Sequence, residues 1–150
     1  MKKRVLIQSL LLVFPILAVG LATTADSVML FDTLSKQTQY FSYFDVLPVE
    51  KLAMITPVAG LLAAASGIAA AVYMAKKQDG ALKAAGYLAV ASACLAVIPN
   101  VLRNQMLVIP NVGFPLLMFA EYVLSYYMGK RKQQSQEETK KQNRLPQKRR

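Results

Sequence analysis

The chain contains no histidine and a single cysteine. Without histidine it lacks the commonest general base and metal ligand. One thiol, Cys94, permits neither an intramolecular disulfide nor a Cys-x-x-Cys relay, and it reads as a small buried filler of its helix. No metal-ligand spacing, Gly-rich phosphate loop or nucleophile motif occurs. We therefore expect no catalytic, cofactor-binding or metal site, and no enzyme.

Charge is also missing from particular places. Residues 5–22, 52–75, 84–102 and 106–128 together hold one charged side chain, Glu121. Each run is close to the ~20 residues that cross hydrocarbon as a helix at ~1.5 Å per residue. A soluble bundle would carry a charged stripe on every helix. The expected fold is therefore an all-α membrane protein, with four transmembrane helices over those runs forming one domain, 1–129. The first run also resembles a signal peptide, with Lys2, Lys3 and Arg4 before it and Thr23-Thr24-Ala25 after it. Its apolar stretch exceeds the usual ~7–15 residues, which favours an uncleaved helix.

What charge there is falls in three places. Of the 18 Lys and Arg residues, 15 lie in 2–4, 76–83 and 130–150, at alternate ends of the apolar runs. Excess Lys and Arg on short loops mark the cytoplasmic side. This predicts a multi-pass protein of the cell membrane with both termini in the cytoplasm. The segment 130–150 is rich in Gln and Lys, lacks aromatics, and is expected to be a disordered basic tail. Lys130, Arg131 and Lys132 adjoin the membrane, where each cation gains about 1 kcal/mol from anionic headgroups. Nothing in the tail stacks on bases or enters a groove, so no nucleic acid is expected as a partner.

Small residues predict how the spans pack. Gly60, Ala64, Gly67 and Ala71 recur along one face of the second run, and Ala85, Ala89, Ala93 and Ala96 along the third. In lipid, close backbone approach over small residues is the usual source of helix association. The two runs should form a tight hairpin about the 76–83 turn, which contains Gly80. The first run is bulkier and carries Pro15, which favours a kink; it should lie at the hairpin's periphery. Between the first two runs, Phe31, Tyr40, Phe41, Tyr43 and Phe44 predict a short interfacial helical segment anchored among headgroups. A cap over a cavity is the functional alternative.

Polar residues inside the spans give the candidate site. Val97-Ile-Pro-Asn-Val101 recurs as Val108-Ile-Pro-Asn-Val112, so Asn100 and Asn111 each place an amide beside a helix-breaking proline. An intramembrane carboxyl is costly and marks a functional site by default. At about 100° per residue, Glu121, Tyr122, Ser125 and Asn111 share one face of the fourth helix. Lys83 and Tyr87 are the expected partners of Glu121. Its role is then a docking hydrogen bond, an ion or proton site, or a contact with another subunit. Only the fourth run has a clear polar face. This favours a structural or accessory component that binds another membrane protein or a second copy. The alternative is a small oligomeric transporter, channel or pore using Glu121.

Overall fold

A computed structural model describes residues 2–24, 28–32, 36–45, 54–102 and 109–144. Along the chain these form α1 (Lys2–Ala22), β1 (Val28–Asp32), β2 (Gln37–Phe41), α2 (Ile55–Lys76), α3 (Asp79–Leu102) and α4 (Ile109–Arg144). Each helix packs on its chain neighbours and α1 also packs on α4, closing a four-helix bundle. Two of these helices, over Ile55–Lys76 and Asp79–Ile98, are long and apolar enough to cross a membrane; the apolar stretch of α1, Leu6–Ala22, is shorter.

Packing between α2 and α3 depends on residues with almost no side chain. Ala59, Ala63 and Ala70 of α2 and Ala85, Ala89 and Ala96 of α3 are buried to 2% exposure or less. At that separation two hydroxyls reach across. Ser66 Oγ lies 3.1 Å from the carbonyl of Ala85, and Ser92 Oγ donates to the carbonyl of Ala59 at 2.7 Å. From Ala59 to Ser66 and from Ala85 to Ser92 is seven residues in each helix, about two turns, so both bonds fit one antiparallel register.

The buried face of α2 is offset from the expected one. Ala59, Ala63, Ser66, Ala70 and Tyr73 point inward, whereas Ala71 is exposed and Ala64 only half-buried. The expected glycines contact other partners. A Cβ on Gly67 would lie 3.3 Å from Pro15 of α1, and one on Gly60 would lie 2.9 Å from the Phe44 ring. The α1 helix is accordingly not peripheral: Leu11, Pro15 and Ala18 are buried, and Pro15 nestles against α2 over Gly67. On α3, Ala85, Ala89, Ala93 and Ala96 all face inward. Cys94 is exposed on the outer side of that helix instead of buried.

Two connections and the C-terminal segment also differ from expectation. The α2–α3 turn consists of Lys77 and Gln78 alone, with Lys77 left-handed at φ 54° and its N–H bonded to the Tyr73 carbonyl at 2.8 Å. Gly80 belongs to the first turn of α3. Between α1 and α2 the chain forms an antiparallel hairpin, Val28 pairing with Phe41 and Asp32 with Gln37, where short helices were expected. Val, Phe, Tyr and Thr favour the pleated strand, and a short connection returns the chain on itself. The side chain of Phe31 lies outside the described residues. Finally, the segment from Lys130, expected to be disordered, continues α4 to Arg144. Gln, Lys, Arg and Glu are good helix formers, and no Pro or Gly interrupts them before Pro146.

The hairpin leads into a cap at its end of the bundle. Tyr43 donates its backbone N–H to the Ala22 carbonyl at 3.0 Å, and its ring stacks on Phe114 at 4.2 Å between centroids. Burial pushes its hydroxyl above the ordinary tyrosine range, so it stays neutral. Tyr43 thus fills the bundle end instead of lying among headgroups, while Tyr40 remains exposed.

Close packing sets the first prediction. Ala89→Leu should lower the unfolding stability of the purified protein by about 1–3 kcal/mol through overpacking. Ala91→Leu, on the exposed face of the same helix, should leave it unchanged. Equal melting curves for the two variants would show that the α3 stripe is not a packing face.

Candidate functional site

The two apolar clusters of the bundle interior leave a polar layer between them. Toward the hairpin lie Ala18, Ala63, Ala89 and Met118. Toward the opposite end lie Leu11, Ala70, Tyr73, Ala85 and Met128. Between these sets, α2 contributes Ser66 and α4 contributes Glu121, both fully buried. Their heavy atoms, Ser66 Oγ and Glu121 Oε1, are 2.5 Å apart. Ser66 is therefore the meeting point of α2, α3 and α4.

Hydrogen counting constrains this contact. Ser66 carries one hydroxyl hydrogen but has two oxygens in reach, the Ala85 carbonyl and Glu121 Oε1. One hydrogen serves one of them at a time, and a protonated carboxyl supplies the second. Glu121 Oε2 is buried and has no hydrogen-bond partner among the described residues; Thr56 Oγ1 is in the same position. The layer can hold one proton or fix how three helices dock.

The expected partners of Glu121 lie elsewhere. Lys83 is exposed and Tyr87 is 68% exposed; both line a groove on the outer side of α3 and α4. The reason is rotational: Glu121 turns into the bundle axis, and the residues one step along the helix turn away from it. Tyr122 lies between the rings of Phe119 and Tyr126, at 6.1 and 6.5 Å. Ser125 donates to the Tyr122 carbonyl at 2.8 Å. Its hydroxyl sits directly over Gly86, where any Cβ would collide with it. The expected polar face is thus divided, with Glu121 inside and Tyr122 and Ser125 at the α3–α4 seam. The side chains of Asn100 and Asn111 lie outside the described residues.

Sequence reasoning missed Ser66. The signal was a hydroxyl within an otherwise Ala- and Gly-rich run, and Ser92 was its counterpart on α3. Weighting small residues equally concealed both.

Lys77, Lys83, Lys130, Arg131 and Lys132 gather at one end of the bundle. Lys132 bridges to Asp79 at 2.6 Å and lies 5.0 Å over the Tyr73 ring. Hydrogen bonding to Asp79 holds its ammonium above the ordinary lysine value, with slight burial opposing. Lys77 Nζ reaches Gln8 Oε1 at 3.4 Å, and Arg131 covers the Tyr127 ring at 5.1 Å. Lys130 and Arg131 are exposed. Among the described residues no three His, Cys, Asp or Glu side chains converge to hold a metal ion.

Comparison with protein-family models, curated proteins and solved structures finds no match.

The buried layer yields a second prediction. Glu121→Gln keeps a donor and an acceptor in place and should leave the melting temperature unchanged. Glu121→Leu removes the partner of Ser66 and should lower stability by about 1–2 kcal/mol. Thermal unfolding followed by circular dichroism measures both, and a Gln variant as weak as the Leu variant would rule out a docking hydrogen bond.

Proposed function

We propose that this chain is a non-enzymatic, four-span protein of the cell membrane, with both termini cytoplasmic, that acts as a structural or accessory partner of another membrane protein or of a second copy. The observation that carries the membrane part is the set of large apolar side chains on the outside of every helix. The bundle exterior presents Leu6, Ile16 and Leu17 on α1, Leu61 and Ile68 on α2, Val97 on α3, and Leu116, Phe119 and Val123 on α4. Its buried positions include Thr56, Ser66, Ser92, Glu121 and Ser125. Water would oppose both halves of this arrangement. Hydrocarbon favours the first, and internal hydrogen bonds of Ser66, Ser92 and Ser125 ease the second.

Charge supports the orientation. The end at which Lys77, Asp79 and Lys132 meet also carries Tyr73, Tyr126 and Tyr127. Aromatic rings beside cations suit the cytoplasmic interface. With α1, α2, α3 and α4 all crossing, the hairpin lies on the opposite, external side.

An accessory role is favoured over a conduit because the hydroxyls of Ser66, Ser92 and Ser125 are already engaged, two of them with backbone carbonyls of a neighbouring helix. Such groups dock helices and leave none of their donors facing a pore. One observation favours the transporter, channel or pore: the unpaired, buried Oε2 of Glu121.

Two measurements test this. A reporter fused after Arg150 should behave as cytoplasmic, and one inserted between Asp32 and Lys36 as external; the reverse pattern overturns the orientation. In reconstituted vesicles the wild type should carry no proton or cation flux. A flux present in the wild type and lost in Glu121→Gln would replace the accessory reading with a carrier.

A further inference from the structure

A groove of about 480 Å³ runs between α3 and α4 at the basic end, on the opposite side of those helices from the Ser66 contact. Two glycines line it. Gly86 brings the α3 backbone against Ser125, and at Gly129 a Cβ would meet nothing within 4 Å. The walls are ordered along the helix axes. On α3, Lys83 stands one turn nearer the basic end than Tyr87. On α4, Lys130 stands one turn beyond Tyr126 and two beyond Tyr122, at the i, i+4 spacing that keeps side chains on one face. All five line the groove. Each wall therefore carries an ammonium nearer the basic end and aromatic surface one or two turns along.

These two ammonium groups are free for a ligand. Lys132, which also lines the groove, is committed to Asp79. Lys83 and Lys130 are exposed and have no hydrogen bond or ion pair with any described residue. A second groove at the same end, between α1, α2 and α4, differs in this respect. It is larger, about 820 Å³, but Lys77 is bonded to Gln8 and Arg131 lies over Tyr127. Glu138 also lines it.

We propose that the α3–α4 groove binds one anionic phospholipid, Lys83 and Lys130 holding the headgroup phosphate and Tyr87, Tyr126 and Tyr122 supporting the acyl chain. The proposal rests on the membrane reading above. It goes further by replacing a diffuse attraction of the basic tail to anionic lipid with a single site of defined stoichiometry. A free phosphate would use the ammonium groups alone. The aromatic walls, continuing through Tyr122 to the exposed Phe119, fit a ligand with an apolar chain.

Native mass spectrometry of the full chain in mild non-ionic detergent tests this with phosphatidylglycerol and phosphatidylcholine as probes. One phosphatidylglycerol should bind saturably, about tenfold more tightly than phosphatidylcholine. Lys83→Gln with Lys130→Gln should remove that preference. Lys76→Gln with Arg131→Gln changes the charge equally at the same end and should retain it. Equal loss in both pairs, or no headgroup preference in the wild type, overturns the site. Displacement of the lipid by millimolar inorganic phosphate overturns the lipid assignment in favour of a soluble anion. Failure of the wild type to insert into phosphatidylcholine vesicles would overturn the membrane reading itself and the proposal with it.

Discussion

The Ser66 hydroxyl is held by α2, lies 3.1 Å from a carbonyl of α3 and 2.5 Å from a carboxyl of α4. A contact of this kind is possible only if three backbones approach closely at one level. That requirement accounts for the alanines around it: larger residues at Ala63, Ala85 or Ala89 would separate the helices and leave two polar groups unpaired in an apolar interior. An unpaired buried polar group costs about 1–3 kcal/mol, so alanine packing and hydrogen bonding sustain each other. Ser92 repeats the arrangement two turns away on the same pair of helices. The α1 helix then closes the fourth side, with Pro15 seated on Gly67.

Bulky apolar side chains also face outward, among them Leu17, Leu61, Ile68 and Phe119. The ends of the bundle are finished differently. Tyr43 and Phe44 close one end over Phe114 and Gly60. The other spreads into cations, tyrosines and two grooves.

Much of the architecture was legible because it rests on contrasts in hydropathy. The four helices fall where long uncharged runs predicted them, and the buried side of α3 is the alanine stripe read from spacing. The phase of α2 was not legible, because Ala63, Ala64, Ala65, Ala69, Ala70 and Ala71 give several small faces of equal merit. Serine position resolves that degeneracy, since a hydroxyl in such a run must find an acceptor. Glu121 stood out as the one charge within the runs, but its partner did not, because Ser66 is 55 residues away and on a helix chosen for its glycines. The hairpin was missed because five-residue strands carry too little periodicity to distinguish them from an amphipathic turn of helix. The helical extension beyond Lys130 was missed because a composition too polar for a core is still a good helix former once a packed helix nucleates it.

The central claim is that Ser66 and Glu121 act as one unit joining α2 to α4. A double-mutant cycle on Ser66→Ala and Glu121→Leu, read from reversible unfolding in detergent, measures it directly. The account predicts a coupling energy of about 0.5–2 kcal/mol, the range of polar contacts between membrane helices. Effects that add to within about 0.3 kcal/mol would contradict it.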